Sequence, residues 1–64
     1  MNRASFRRIL LLDEMIRRGE LHSAAKAASR LDVSRRTIER DLETLRDCRA
    51  DIEYDPHNQT YSYG

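Results

Sequence analysis

Apolar residues recur at helical spacing through most of this chain and at a spacing of two near its end. Phe6, Ile9, Leu12 and Ile16 fall three or four residues apart, which predicts a first amphipathic helix from Ala4 to about Arg18, with Leu10 and Met15 at the margins of its stripe. Gly19 directly after Arg17-Arg18 is a stop signal. Glycine takes the left-handed backbone that closes helices, and two cations sit favourably near the negative end of the dipole. Asp13 falls within the apolar arc, so it is expected at the edge of the stripe, paired with an arginine. Ser23 suits the N-cap of a short second helix ending near Leu31, with Ala24, Ala27, Ala28 and Leu31 on its inner face. Alanines confined to one face let another helix approach closely. Asp32 follows where a left-handed turn residue is needed; glycine is commonest there, and Asp or Asn is tolerated.

Val33 and Ile38 occupy the two positions of a hydrophobic staple around Ser34, a second N-cap residue. Ile38, Leu42 and Leu45 then continue one buried stripe, predicting a third helix from Arg35 to about Cys48. After it the period shortens. Ile52, Tyr54, Tyr61 and Tyr63 sit at alternate positions on either side of a polar Asp55–Thr60 loop containing Pro56, which predicts a β-hairpin whose tyrosines pack on the core. The expected fold is mainly α with a small β-hairpin: three helices plus a wing, the order of a winged helix-turn-helix. One domain spans residues 1–64, with no repeat, linker or low-complexity segment.

Charge sharpens this picture. The formal net charge of +1 conceals ten basic against five acidic side chains in residues 1–40, and two against six in residues 41–64. One side of the domain therefore attracts anions and the other repels them. Lys26 is the sole lysine; the other bases are arginines, whose planar fork suits bidentate contacts to guanine and phosphate. Arginine-rich composition also arises in GC-rich genomes, so the preference has two explanations. Cys48 is the single cysteine, which excludes an internal disulfide and fits a reducing compartment. His22 and His57 stand far apart, and no Cys/His spacing suggests zinc. The longest apolar run, Ile9 to Leu12, is too short for a membrane span or a signal-peptide core. These features predict a soluble cytoplasmic protein with no cofactor, metal or membrane partner. No Ser/His/Asp set or glycine-rich phosphate loop points to an enzyme.

On the third helix, at about 100° per residue, Arg36, Thr37, Arg40 and Thr44 point away from the apolar stripe. A helix apolar on one side and arginine-bearing on the other can pack on a small core while lying in a DNA major groove. Arg36 and Arg40 are the expected base or phosphate contacts, against the alternative of a solvated face with ion pairs from Arg36 to Glu39 or Glu43. Thr37 and Thr44 can meet a thymine methyl or merely cover surface, and Glu43 can accept from a cytosine amino group or stay solvated. Arg35 lies nearer the buried side, where a phosphate contact or snorkelling suits it better than base reading. Ser23 and Ser34 cap helices whose N-termini are also natural phosphate sites. Arg3 and Arg7 either reach the DNA backbone or remain solvated.

The run Leu31-Asp32-Val33-Ser34-Arg35-Arg36-Thr37-Ile38-Glu39-Arg40-Asp41-Leu42-Glu43-Thr44-Leu45-Arg46 precedes Asp51-Ile52-Glu53-Tyr54-Asp55 and a strand containing Tyr61. Together these resemble the VS-x-RTI-x-RDL signature and wing of the winged helix-turn-helix domain of DeoR-like and WYL-type bacterial transcription regulators. The resemblance spans essentially all 64 residues. It implies that Ser34, Arg36, Thr37 and Arg40 lie at the DNA surface. It also implies that the wing tip, His57, Asn58 and Gln59, approaches the neighbouring backbone or minor groove, although hairpin tips are polar in any case. Asp32 stands where that family usually has glycine, Glu39 where it often has an aromatic or basic residue, and Cys48-Arg49-Ala50 replaces a glycine-containing link. The effector-sensing and dimerising domains of full-length members are not in this sequence, so an isolated reader, a truncated segment or an engineered binder is expected. The expected partner is double-stranded DNA, bound by a monomer without a small-molecule ligand. The alternative is a winged-helix protein-interaction module.

Overall fold

The computed structural model describes residues 2–49 and 51–64. Its element order is α1 (Arg3–Arg17), α2 (Ala24–Leu31), α3 (Arg35–Arg49), β1 (Ile52–Asp55) and β2 (Thr60–Tyr63). This is the winged helix-turn-helix order. The link through Ala50 lies outside the described residues.

Each helix boundary has a local cause. Asn2 opens α1 by accepting from the Ser5 amide at 2.8 Å. Gly19 closes it with φ +69°: the Gly19 amide bonds to the Ile16 carbonyl and the Glu20 amide to the Met15 carbonyl, the paired pattern of a Schellman turn. Ser23 caps α2 by accepting from the Lys26 amide at 3.0 Å. Asp32 ends it in the left-handed region at φ 57°, ψ 48°, as its position predicts. The Val33 amide then reaches the Ala28 carbonyl at 3.0 Å. Ser34 Oγ accepts from the Thr37 amide at 3.2 Å, which starts α3. A single left-handed residue between two capped helices makes the turn tight, so the α2–α3 geometry is fixed within three residues.

The core comprises Ile9, Leu12, Met15 and Ile16 of α1, Leu21 before α2, Ala27 and Ala28 of α2, Ile38, Leu42 and Leu45 of α3, and Ile52 of the hairpin. Ala24, Leu31, Val33, Tyr61 and Tyr63 pack against it. Leu12, Leu21 and Ile38 are its fully buried large side chains. Val33 and Ile38 thus meet as a staple.

Two apolar expectations for α1 are corrected. Phe6 leaves the core, 57% exposed, and Leu10 and Leu11 are exposed too, whereas Met15 is buried at 8%. The buried side of α1 is centred on Leu12 and runs from Ile9 and Ile16 to Met15, with Arg8 turned toward α3 to meet Asp41 and Phe6 left facing water. Asp13 sits at the edge as expected, taking an ion pair from Arg17 at 3.1 Å and a hydrogen bond from the Tyr63 hydroxyl.

The hairpin is antiparallel, with Ile52 opposite Tyr63 and Tyr54 opposite Tyr61. Tyr54 and Tyr61 meet edge to face at 5.2 Å, but Tyr54 is about half exposed, so its packing is on its strand partner and not on the core. The wing is tied to the segment before α2. The Tyr61 amide donates to the Leu21 carbonyl at 2.8 Å, and His22 Nδ1 lies 3.0 Å from the Gln59 carbonyl, which makes the ring nitrogen the donor.

Candidate nucleic-acid interface

Helix α3 packs its Ile38–Leu42–Leu45 side on α1 and α2, leaving the opposite side open. Arg36, Arg40, Glu43 and Asp47 are exposed on that side. Two surface grooves flank it. One runs between α3 and the wing, past Ala24, Arg35, Arg36, Leu42, Arg46 and Tyr61. The other runs between α3 and α1, past Ser5, Arg8, Val33, Thr37, Asp41 and Thr44. Arg40 and Glu43 line both, so they form the ridge between them.

The arginines of this face differ in how they are held. Arg35 pairs with Glu39 at 3.0 Å across one helical turn. Its side chain is 70% exposed: the wheel angle lies beside Leu42, and the stem swings along the surface to its carboxylate. The ion pair to Glu39 is made by Arg35 and not by Arg36. Among the described residues, Arg36 and Arg40 have no carboxylate or carbonyl partner. Both point a full guanidinium fork at solvent.

The hydroxyls are more constrained. Thr37 is half-buried on the α1 flank, its Oγ1 2.9 Å from Ser34 Oγ. Thr44 Oγ1 donates to the Arg40 carbonyl at 3.1 Å, a bond that fixes its rotamer and leaves its methyl free to face outward. At the wing tip, Asp55 accepts from the His57 amide at 2.9 Å and from the Asn58 side chain at 2.7 Å, while Gln59 takes the left-handed φ of 56°. His57 and Asn58 are thereby presented on an ordered turn. Ser23, at the start of α2, is part-exposed beside the wing-side groove.

The structure brings Ser34, Arg36, Thr37, Arg40 and Thr44 onto one continuous surface of α3, with Arg35 on its wing-side margin; Ser23, His57 and Asn58 stand on separate elements. The site also depends on two residues that the sequence pattern did not single out. Arg8 of α1 donates to both carboxylate oxygens of Asp41, through Nε to Oδ2 and through Nη2 to Oδ1 at 3.2 Å, next to Arg40 in sequence. The Asp41 hydrogen bond and charge hold the Arg8 guanidinium above its ordinary pKa, against a smaller opposing effect of burial. The signal was present, because Asp41 falls inside the buried arc of α3 where a lone carboxylate demands a cation.

Three helices, a left-handed turn between the second and third, and a hairpin wing define a winged helix-turn-helix protein. The chain belongs to the helix-turn-helix family: the family model described as an HTH domain matches residues 7–61. No curated protein and no solved structure shows significant similarity to it. Membership points to DNA as the partner. No helix among the described residues is long and apolar enough to cross a membrane.

Proposed function

We propose that residues 1–64 form a single sequence-reading module for double-stranded DNA that serves a transcription regulator of the DeoR-like or WYL-type kind, whose signature it resembles. Helix α3 enters the major groove and α2 braces it across the backbone. Arg36 and Arg40 read base edges, each good bidentate pair discriminating by about 1–3 kcal/mol. Arg35 and the helix starts at Ser23 and Ser34 meet phosphates. Thr37 and Thr44 offer methyl groups to thymine, and His57 and Asn58 touch the flanking backbone. A monomer covers one half-site without cofactor or effector.

The observation that carries this reading is the unpartnered pair Arg36 and Arg40, one turn apart on the open side of α3. Two cations at i, i+4 repel each other, so a helix selected for stability alone would separate them or pair them. An anion in front of them reverses the sign.

The test is titration of a labelled random-sequence duplex at several salt concentrations. Affinity falling about a hundredfold between roughly 50 and 200 mM salt corresponds to about four phosphate contacts. Absence of binding at the lower concentration would favour the protein-interaction module instead.

A further inference from the structure

The outward face of α3 changes sign halfway along. Taking about 100° per residue, Arg36, Arg40, Glu43 and Asp47 fall within about 60° of one another, so they form one stripe along the helix. All four are exposed, and among the described residues none makes an ion pair. Arg46 lies off this stripe, on the wing-side flank beside Leu42 and Tyr61.

This order is the reverse of what a helix favours. Along this stripe Arg36 stands at the positive end of the dipole with no acidic residue in the first turn, and Asp47 stands in the last turn, which Arg46 and Arg49 share. Within each half of the stripe the i, i+4 neighbours are alike, Arg36 with Arg40 and Glu43 with Asp47, which is unfavourable again. Taken by itself, the charge order of the stripe does not stabilise the helix, which points to a cause outside it. Asp51 and Glu53, around the start of β1, are exposed acidic residues as well.

We propose that Glu43 and Asp47 bound the DNA-reading surface. This rests on the DNA-binding reading above. The two carboxylates repel phosphates, so the duplex meets α3 at its N-terminal half and the helix tilts into the groove instead of lying flat along it. Glu43, on the ridge beside Arg40, is a specificity-determining residue. An ionised carboxylate only accepts hydrogen bonds, so it tolerates the amino groups of cytosine or adenine and rejects the acceptors O6 and N7 of guanine and O4 of thymine.

The test compares the wild type with the double variants Glu43→Gln/Asp47→Asn and Glu14→Gln/Glu20→Gln, which change net charge equally but lie on different surfaces. Each is titrated against a duplex enriched from a randomised library and against random duplex. The Glu43/Asp47 variant is expected to gain about two- to fivefold per charge on random duplex, the size of an exposed charge interaction, and to lose discrimination between the two duplexes. The Glu14/Glu20 variant is expected to keep the wild-type ratio. An unchanged ratio in the Glu43/Asp47 variant overturns the proposal while DNA binding stands. If the wild type binds no duplex, the DNA-binding reading falls; if Arg36→Ala/Arg40→Ala binds as well as the wild type, reading of DNA by this face of α3 falls; either outcome takes this proposal with it.

Discussion

Arg8 of α1 grips Asp41 of α3 through two nitrogens, and this pair joins the helix at the back of the domain to the helix that carries the open arginines. Asp41 is buried and follows Arg40 directly, so the pair fixes the rotation of α3 about its axis. A rotation of α3 would carry Arg36 and Arg40 out of line with the wing and α2.

Removing one partner of this pair should destabilise the domain more than removing both. Asp41→Ala or Arg8→Ala leaves a largely buried charge unmatched and is expected to cost roughly 2–4 kcal/mol. Arg8→Met with Asp41→Leu should recover much of that loss. Urea unfolding followed by circular dichroism measures both. Because the Arg8 pKa is raised, the cation's share of this stability is complete below the ordinary arginine value and is lost only at more alkaline pH. Titration of the arginine should therefore leave no step between pH 6 and pH 9, a range given roughly from the ordinary side-chain values.

The two left-handed turns respond oppositely to substitution. Gly19→Ala places a Cβ at φ +69° and should cost about 1 kcal/mol. Asp32→Gly relieves the same strain at φ 57° and should raise stability by up to about 1 kcal/mol. Thermal unfolding of the two single variants reads the signs.

Phe6 and Leu12 separate the two sides of α1. Phe6→Ser should change stability by less than about 0.5 kcal/mol, because the ring is mostly in water. Leu12→Ala should cost about 2–4 kcal/mol, because its side chain is fully enclosed. Equal losses would put Phe6 back in the core.

The wing tip is ordered by Asp55. Asp55→Ala removes acceptors for the His57 amide and the Asn58 side chain and should cost about 0.5–1.5 kcal/mol locally. Amide hydrogen exchange should accelerate at His57 and remain slow at Tyr61, which is held by Leu21.

Most of the fold is legible in the sequence because its signals are local. Ser23, Asp32, Ser34 and Gly19 each act within one turn, and the spacing of Ile38, Leu42 and Leu45 gives the buried side of α3 directly. What escaped is non-local. Arg8 and Asp41 are far apart in sequence: the place of Asp41 in the buried arc of α3 calls for a cation without saying which one, and the pairing turns Arg8 of α1 inward while Phe6 faces water. The attachment of the wing to Leu21 and His22 escaped for a similar reason, since backbone carbonyls leave no trace in a side-chain pattern. Within the candidate interface the positions of Arg36 and Arg40 follow from helical periodicity. The pairing of Arg35 with Glu39 does not, because a flexible stem reaches well beyond the angle assigned to its Cα.

In the proposed complex Arg36 and Arg40 read DNA bases from the first turns of α3. Selection from a randomised duplex library with the wild type and with Arg40→Ala tests it most directly. The expected result is an enriched sequence for the wild type, and for the variant weaker binding with preference lost at one position of that sequence. Equal losses on every sequence, or the same enriched sequence from both proteins, would contradict base reading by Arg40.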